Sequence, residues 1–337
     1  MICFISRQGL YFKNSQYSKT RRLAPNQTPS SKIQDKKPPI AVGDQHRQQL
    51  KYMSKILITG GAGFVAPYLK KTLGSQEVTL TDLVGRGIIE CDLTDPAQAN
   101  SLIRKVRPDE VYHLAAISSP KNEDRAKVMK INVGGTLNLL RAIKKFSPQA
   151  KVLLVSTGYV YGNCQKAAES DRPNAREPYA QSKLKMEQEA LGKFPELKIY
   201  IARAFNHSGS GQQLGFFFPD LAKKINEAKK SGSKTIEVIN PDSARDFMHV
   251  KDTVAAYKLI LAKGRAGEIY NVATGKKYKI IDLVARMLKA ADLKNTKISR
   301  KEKKGVMSLV GSNERLKRLG FKPKHSIDDV ISDQIKG

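Results

Sequence analysis

No stretch of the 337-residue chain approaches the roughly 18 consecutive apolar residues that a membrane-spanning helix needs; its apolar pieces are strand-length and bounded by Gly, Asp or Pro. A membrane protein is not expected. Cysteine is scarce: Cys3, Cys91 and Cys164 are far apart, odd in number, and belong to no CxxC pair or histidine cluster. That argues against a zinc site or a disulfide framework and fits a reducing compartment, so the expected location is cytoplasmic. Acidic residues are few, 31 against 60 Lys and Arg, for a net charge of +29. No motif interleaves basic and aromatic residues, and the charge is spread rather than gathered in a stripe. A basic proteome or an anionic substrate accounts for it better than a nucleic acid.

What is present sorts into three regions. Residues 1–52 are polar and basic, with ten Lys and Arg against two acids and no sustained apolar period, which predicts disorder. The expected reading is an upstream extension before a natural start at Met53-Ser-Lys-Ile-Leu; the alternative is an organelle transit peptide over residues 1–34, whose Arg-, Lys- and Ser-rich composition holds no acid before Asp35. Order is expected from residue 53, with a dinucleotide-binding domain over 53–205 and a mainly substrate-binding domain over 206–337, the chain crossing between them. A chain of this length buries an ample core.

Lys55-Ile-Leu-Ile-Thr59 reads as a buried strand, followed by Gly60-Gly-Ala-Gly63 and an amphipathic helix through Leu73. In that context Gly60 permits the tight turn and Gly63 lets backbone approach a pyrophosphate at the helix N-terminus. The next strand, Glu77–Asp82, ends in an acid 22 residues after Gly60. A carboxylate there accepts from ribose hydroxyls and repels a 2′-phosphate, which favours NAD over NADP, although Arg86 stands ready for a phosphate. Further strands are expected before Asp92 and Leu93, at 108–116, at 151–155 and at 198–202, alternating with helices. The fold class is therefore α/β, a Rossmann-type doubly wound parallel sheet with a smaller C-terminal α/β domain. His113, alone at a strand end, is read as a packing residue.

Tyr179-Ala-Gln-Ser-Lys183 opens a run of good helix formers, which sets Tyr179 and Lys183 four apart on one face. A phenol is a weak acid near neutrality unless a cation stabilises its phenolate, and Lys183 is placed to do so. Thr157 ends a strand 22 residues earlier. Asn206 lies in a Gly/Ser-rich loop and is either a turn residue or a donor and acceptor for a sugar or diphosphate. Arg245 is either a forked partner for a diphosphate or the ion-pair partner of Asp246 or Asp252. Phe216, Phe217 and Phe218 are expected to pack, and Lys223, Lys224, Lys229 and Lys230 to form a solvated helix face.

Thr59-Gly-Gly-Ala-Gly63, His113-Leu-Ala-Ala116, Asn132, Ser156-Thr157 with Tyr161-Gly162, and Tyr179-x-x-x-Lys183 together resemble the extended short-chain dehydrogenase/reductases that act on nucleotide sugars. The resemblance covers about residues 53–337. The second half is similar to the GDP-sugar branch, through Asn206-His-Ser-Gly-Ser-Gly-Gln212, Arg245-Asp-Phe-Met-His-Val-Lys-Asp252 and Val310-Gly-Ser-Asn-Glu-Arg-Leu316. It implies an NAD(P)(H)-dependent homodimer that reduces the C4 keto group of a GDP-4-dehydro-6-deoxymannose to a GDP-6-deoxyhexose. In that scheme Thr157, Tyr179 and Lys183 are catalytic. Gly60, Gly63, Phe64, Asp82, Asp92, Leu93, Ala115, Asn132, Tyr179 and Lys183 hold the cofactor, and Asn206 and Arg245 the substrate. Related 4,6-dehydratases carry an acid two residues after the catalytic Ser or Thr, and many of the reductases have Glu there; here Tyr159 stands in that place. Dehydration is therefore not expected. A 4-epimerase needs the same Thr, Tyr and Lys and is the enzymatic alternative, with a non-catalytic dinucleotide-binding protein or a nucleic-acid-associated protein behind it.

Overall fold

Ile56, Leu57 and Ile58 are all buried, although alternate side chains of a strand point to opposite faces. A strand buried on both sides belongs inside a parallel sheet covered by helices on both faces. In the computed structural model, which describes residues 53–118, 124–303 and 305–336, it does. Residues 1–52, with the disorder and transit-peptide readings made for them, lie outside the described residues.

Seven parallel strands run in the order Ile269–Val272, Lys198–Ala204, Lys151–Thr157, Glu110–His113, Lys55–Thr59, Glu77–Asp82 and Ile89–Glu90. Ile56 and Ile58 pack on one face with Leu69, Tyr257 and Ile260, from the helices Val65–Leu73 and Val250–Lys263. Leu57 packs on the other with Ile103, Leu140, Ile143 and Met186, from the helices Pro96–Val106, Thr136–Phe146 and Pro178–Lys193. The chain starts in the middle of the sheet, adds strands outward on one side, then returns to Glu110–His113 on the other. That reversal opens a crevice at the carboxyl ends of the central strands. Because all seven strands are parallel, Gly60, Asp82, Ala115, Thr157 and Asn206 emerge near one edge.

A second, smaller sheet beside the first is built from both halves of the sequence. A four-stranded sheet joins Tyr278–Lys279, Ala244–Arg245, Ser308–Gly311 and Cys164–Ala167 in that order. Cys164–Ala167 comes from before residue 205, whereas Ile269–Val272, from after it, edges the seven-stranded sheet. Asn206–Ser208 pairs in parallel with Phe247–His249, which holds the Asn206 loop against Arg245. Phe218, Leu221, Ile225, Leu283, Met287 and Val330 form a separate core there.

Local chemistry sets the element ends that matter. Asp95 caps the helix at Pro96, its side chain accepting from Ala97 N. Pro178 occupies the first turn of the Tyr179 helix, where its missing N–H is least costly. Around Asn132 the helix is not uniform: residues Lys130–Gly135 form a π-helical turn between the α-helices Arg125–Met129 and Thr136–Phe146. Such turns are frequent at functional sites. Among the described residues, no helix is long and apolar enough to cross a membrane, and no group of three or more His, Cys, Asp and Glu is placed to hold a metal ion.

Candidate active site

The crevice is a cleft of about 950 Å³ lined from both sides of the structure. Gly60, Gly63, Phe64, Asp82, Asp92, Leu93 and Ala115 line it at the sheet end, Thr157, Tyr179 and Lys183 at its centre, and Asn206 and Arg245 towards the second sheet. Asn132 is brought to the site without lining the cleft. Its Oδ1 accepts from Ile117 N at 2.8 Å, and its Nδ2 donates to Ile117 O at 3.1 Å and to Ser182 Oγ at 2.9 Å. It fixes the loop after His113 to the helix that carries Tyr179 and Lys183.

The glycine turn fits a dinucleotide by its own geometry. Gly60 has φ of +74°, and a Cβ there would sit 2.7 Å from Ala115 N; a Cβ on Gly63 would sit 3.1 Å from Gly60 O. A side chain at either position would crowd the backbone that shapes the cradle. No side chain caps the helix that starts at Val65; Ala66 N donates to Gly63 O at 3.3 Å and Pro67 has no N–H, so the Val65 amide at the very start of the helix is the one left to face an anion. Asp82 terminates its strand with Oδ2 accepting from Ala62 N at 3.0 Å and Oδ1 from Leu83 N at 2.7 Å. The Phe64 ring stacks on His207 with centroids 6.5 Å apart, so the turn also contacts the loop after Asn206. Arg86 is exposed and does not line the cleft.

At the centre, the Lys183 side chain is 2 % exposed and its Nζ donates to Val155 O at 2.7 Å. Burial lowers its pKa to about 8, with Glu187 acting against that shift. The Tyr179 phenol is pushed up to about 12 by burial, while its hydrogen bond with Thr157 pulls the other way and Tyr159 adds to the rise. The sequence reading has Lys183 lowering the Tyr179 pKa; in this structure desolvation outweighs any such effect, and the phenol holds its proton at neutral pH. A protonated phenol is the form needed to give a proton to a carbonyl oxygen during reduction. His113 is buried between Thr59 Oγ1 at 2.7 Å and Thr136 Oγ1 at 2.8 Å. Burial first, then Lys183, holds it down to about 3, so it is a neutral packing residue.

Behind Lys183 lies a buried charge network that sequence reasoning missed. Glu187 is one helical turn beyond Lys183, and its Oε1 accepts from Ser156 Oγ and from Arg203 Nε at 3.0 Å. Arg203 Nη2 donates to Oε2 at 2.6 Å, and the guanidinium lies 4.8 Å from the centre of the Tyr161 ring. Glu187 and Arg203 are each 3 % exposed at the side chain. The available signal was the spacing of Tyr179, Lys183 and Glu187, which continues one helix face.

Glu187 raises the Lys183 pKa, so Glu187→Gln should lower it further. Measured as kcat/KM for the reduced dinucleotide, which reports the free enzyme, the wild-type alkaline limb is expected near pH 8, and that of Glu187→Gln at lower pH. Because Lys183 binds its proton less tightly folded than unfolded, its contribution to stability grows as pH rises from about 8 to 10.5.

At the substrate end, the ion-pair alternative for Arg245 is overturned. Its Nη1 donates to Ala244 O at 2.8 Å and its Nη2 to Val306 O. Asp246 is instead saturated by Thr274 N, Thr274 Oγ1 and Gly275 N, and Asp252 binds the backbone and ring of His325. No carboxylate among the described residues is ion-paired with Arg245. Asn206 Nδ2 donates to Asp246 O at 3.2 Å, so the residue is a fixed amide on the cleft wall. Phe217, Phe218 and Phe247 pack ring against ring. Lys223, Lys224, Lys229 and Lys230 do not line the cleft, although Lys127 and Lys130, which the sequence reading did not single out, do.

A hydroxyl, a phenol and a lysine ammonium at the carboxyl edge of a dinucleotide-binding sheet are the working parts of a short-chain dehydrogenase/reductase. That is the class of enzyme this fold and cleft define. Comparison with known proteins narrows it: the chain belongs to the NAD dependent epimerase/dehydratase family, whose model matches residues 56–273. It is 33 % identical over 301 residues to the GDP-6-deoxy-D-mannose reductase of Pseudomonas aeruginosa, covering 83 % of this chain and 96 % of that one. The solved structure of RMD from Pseudomonas aeruginosa complexed with NADPH is 32 % identical with a TM-score of 0.74, covering 84 % of this chain and 98 % of that one. UDP-glucose 4-epimerase from Thermus thermophilus, solved with NAD, gives 26 % identity and a TM-score of 0.74, covering 83 % and 97 %.

Proposed function

We propose that the protein reduces the C4 keto group of a GDP-4-dehydro-6-deoxymannose to a GDP-6-deoxyhexose of the GDP-rhamnose type, with Tyr179 as proton donor. The observation that carries this reading is the pairing of Thr157, Tyr179 and Lys183 at the cleft centre with Tyr159 where a dehydratase needs an acid. Similarity to the GDP-6-deoxy-D-mannose reductase supports the substrate.

When bound, the nicotinamide dinucleotide supplies the hydride. The Thr157 hydroxyl and the Tyr179 phenol converge on the C4 oxygen, Thr157 orienting it and Tyr179 giving it a proton. Lys183, anchored on Val155 O, offers its remaining protons to the ribose beside the nicotinamide and holds positive charge near the forming phenolate. Arg245 takes the diphosphate and Asn206 the sugar. Gly60, Gly63 and the Val65 amide take the cofactor pyrophosphate, with Phe64, Asp92, Leu93 and Ala115 walling its adenosine and nicotinamide ends. Asp82 favours NAD, because a 2′-phosphate would approach its carboxylate. The active form is a homodimer joined through the helices flanking Asn132 and Tyr179, which light scattering tests.

The assay is incubation with GDP-4-dehydro-6-deoxymannose and NADH or NADPH, following the absorbance of the reduced cofactor and identifying the product. Consumption of both with formation of a GDP-6-deoxyhexose is expected, faster with NADH. The second reading, a 4-epimerase, uses the same three residues and is favoured by the similarity to an epimerase solved with NAD. It predicts no net cofactor oxidation and interconversion of a UDP-sugar instead.

A further inference from the structure

Tyr159 is defined in the sequence only by the acid it displaces, but the structure gives it a place of its own. It lies in the 3-10 turn Gly158–Tyr161 that begins directly after Thr157. Its backbone N–H donates to Thr157 Oγ1 at 3.3 Å, which fixes the Tyr159 backbone beside the hydroxyl that orients the reacting carbonyl. Gly158 allows the tight approach, since a Cβ there would meet the Phe205 ring at 2.9 Å. The Tyr159 ring packs against the buried cluster of Val160, Phe205 and Val306, while the residue lines the cleft. Its hydroxyl donates to Asn206 Oδ1 at 3.3 Å. The Asn206 amide is held in that orientation because its Nδ2 is bonded to Asp246 O.

The Tyr159 proton is thus committed to Asn206, which leaves the phenol oxygen as an acceptor on the cleft wall. That acceptor stands between the Thr157 and Tyr179 pair, where C4 reacts, and the Asn206 and Arg245 end. On a 4-keto-6-deoxypyranose, C4 has two carbon neighbours. C5 carries the ring oxygen and a methyl group, so the adjacent hydroxyl is the one on C3.

We propose that the Tyr159 hydroxyl, held by Asn206, accepts a hydrogen bond from the hexose C3 hydroxyl and so selects 4-keto sugars that carry an oxygen on C3. The assignment rests on the reductase reading above. It gives Tyr159 and Asn206 a joint role at the sugar: Asn206 also fixes the direction of the phenol proton, and Tyr159 contacts the C3 hydroxyl. A carboxylate in this position would also accept from C3, but it could in addition remove a proton from the sugar, which is the chemistry of dehydration. The phenol keeps the recognition and omits that step.

The test compares wild type and Tyr159→Phe on GDP-4-dehydro-6-deoxymannose and on its 3-deoxy analogue. Tyr159→Phe removes one oxygen and retains the packed ring, so an unchanged melting temperature and dinucleotide Kd are expected. KM for the 3-hydroxy substrate should rise about tenfold, with kcat changed much less, as for loss of one neutral hydrogen bond. The wild type should show a similar rise when the substrate lacks the C3 hydroxyl, and the variant should show no further loss with that analogue, because each change removes the same bond. A wild-type KM in Tyr159→Phe, or equal losses on both substrates, would overturn the assignment. Absence of turnover by the wild type on either substrate would instead overturn the reductase reading, and this inference with it.

Discussion

Tyr179→Phe is expected to lower kcat by about 10²- to 10⁴-fold, the usual range for loss of a positioned general acid, while the dinucleotide Kd stays at its wild-type value. The variant removes only the phenol oxygen. The ring remains beside Thr157 on the helix Pro178–Lys193, and the glycine turn that fits the pyrophosphate lies elsewhere on the sheet edge. The defect should be confined to kcat, because the proton reaches the C4 oxygen only as charge develops there. Stopped-flow binding of the reduced dinucleotide together with steady-state turnover separates the two quantities. Turnover near the wild-type rate would remove Tyr179 from the mechanism. Burial pushes the phenol pKa up to about 12, so no alkaline loss of activity from ionisation of Tyr179 itself is expected between pH 6 and 9.

Arg203→Leu should lower stability by roughly 3–5 kcal/mol, the cost of leaving a buried charge without its partner. Glu187 would then keep only Ser156 as a side-chain donor, in a site sealed from water. For a folded unit of this size the loss corresponds to a fall in melting temperature of about 10 °C. Replacing Arg203 and Glu187 together by Leu should recover most of it, since two apolar side chains do not carry the desolvation penalty of an ion pair. The double variant separates stability from chemistry. It should fold, but the alkaline limb assigned to Lys183 should still move to lower pH, because the carboxylate that supports the ammonium is gone. A single Arg203→Leu variant that melts with the wild type would show that the pair is dispensable.

The frame of the enzyme is legible in the sequence because it is written in local rules. Lys55–Thr59 is a short apolar run bounded by glycine, Asp82 ends the next strand, and Pro178 opens the helix of Tyr179; each is a short-range signal with a direct physical cause. The doubly wound sheet follows from their alternation. The roles that depend on pairing across distant segments are not legible in this way. The ion pair of Glu187 and Arg203 joins a helix to a strand, and only the fold shows that both are buried. Arg245 stands directly before Asp246 and seven residues before Asp252, yet both acids are drawn away by Thr274, Gly275 and His325, segments that the sequence does not place beside them. Tyr159 shows the same limit. The chain reveals that an acid is missing there, whereas the contact with Asn206, 47 residues on, shows what the replacement is for. Asn132 is the converse case, a residue carried into the site by resemblance whose contacts are with Ile117 and Ser182 behind the cleft wall.

The most direct measurement of the central claim uses reduced dinucleotide carrying deuterium at the transferable position of its nicotinamide, incubated with the protein and GDP-4-dehydro-6-deoxymannose. Product examined by NMR and mass spectrometry should be a GDP-6-deoxyhexose bearing one deuterium on C4, formed in equal amount to the oxidised dinucleotide. Recovery of the keto sugar with the label still on the dinucleotide, alongside epimerisation of a UDP-sugar without net oxidation, would contradict it.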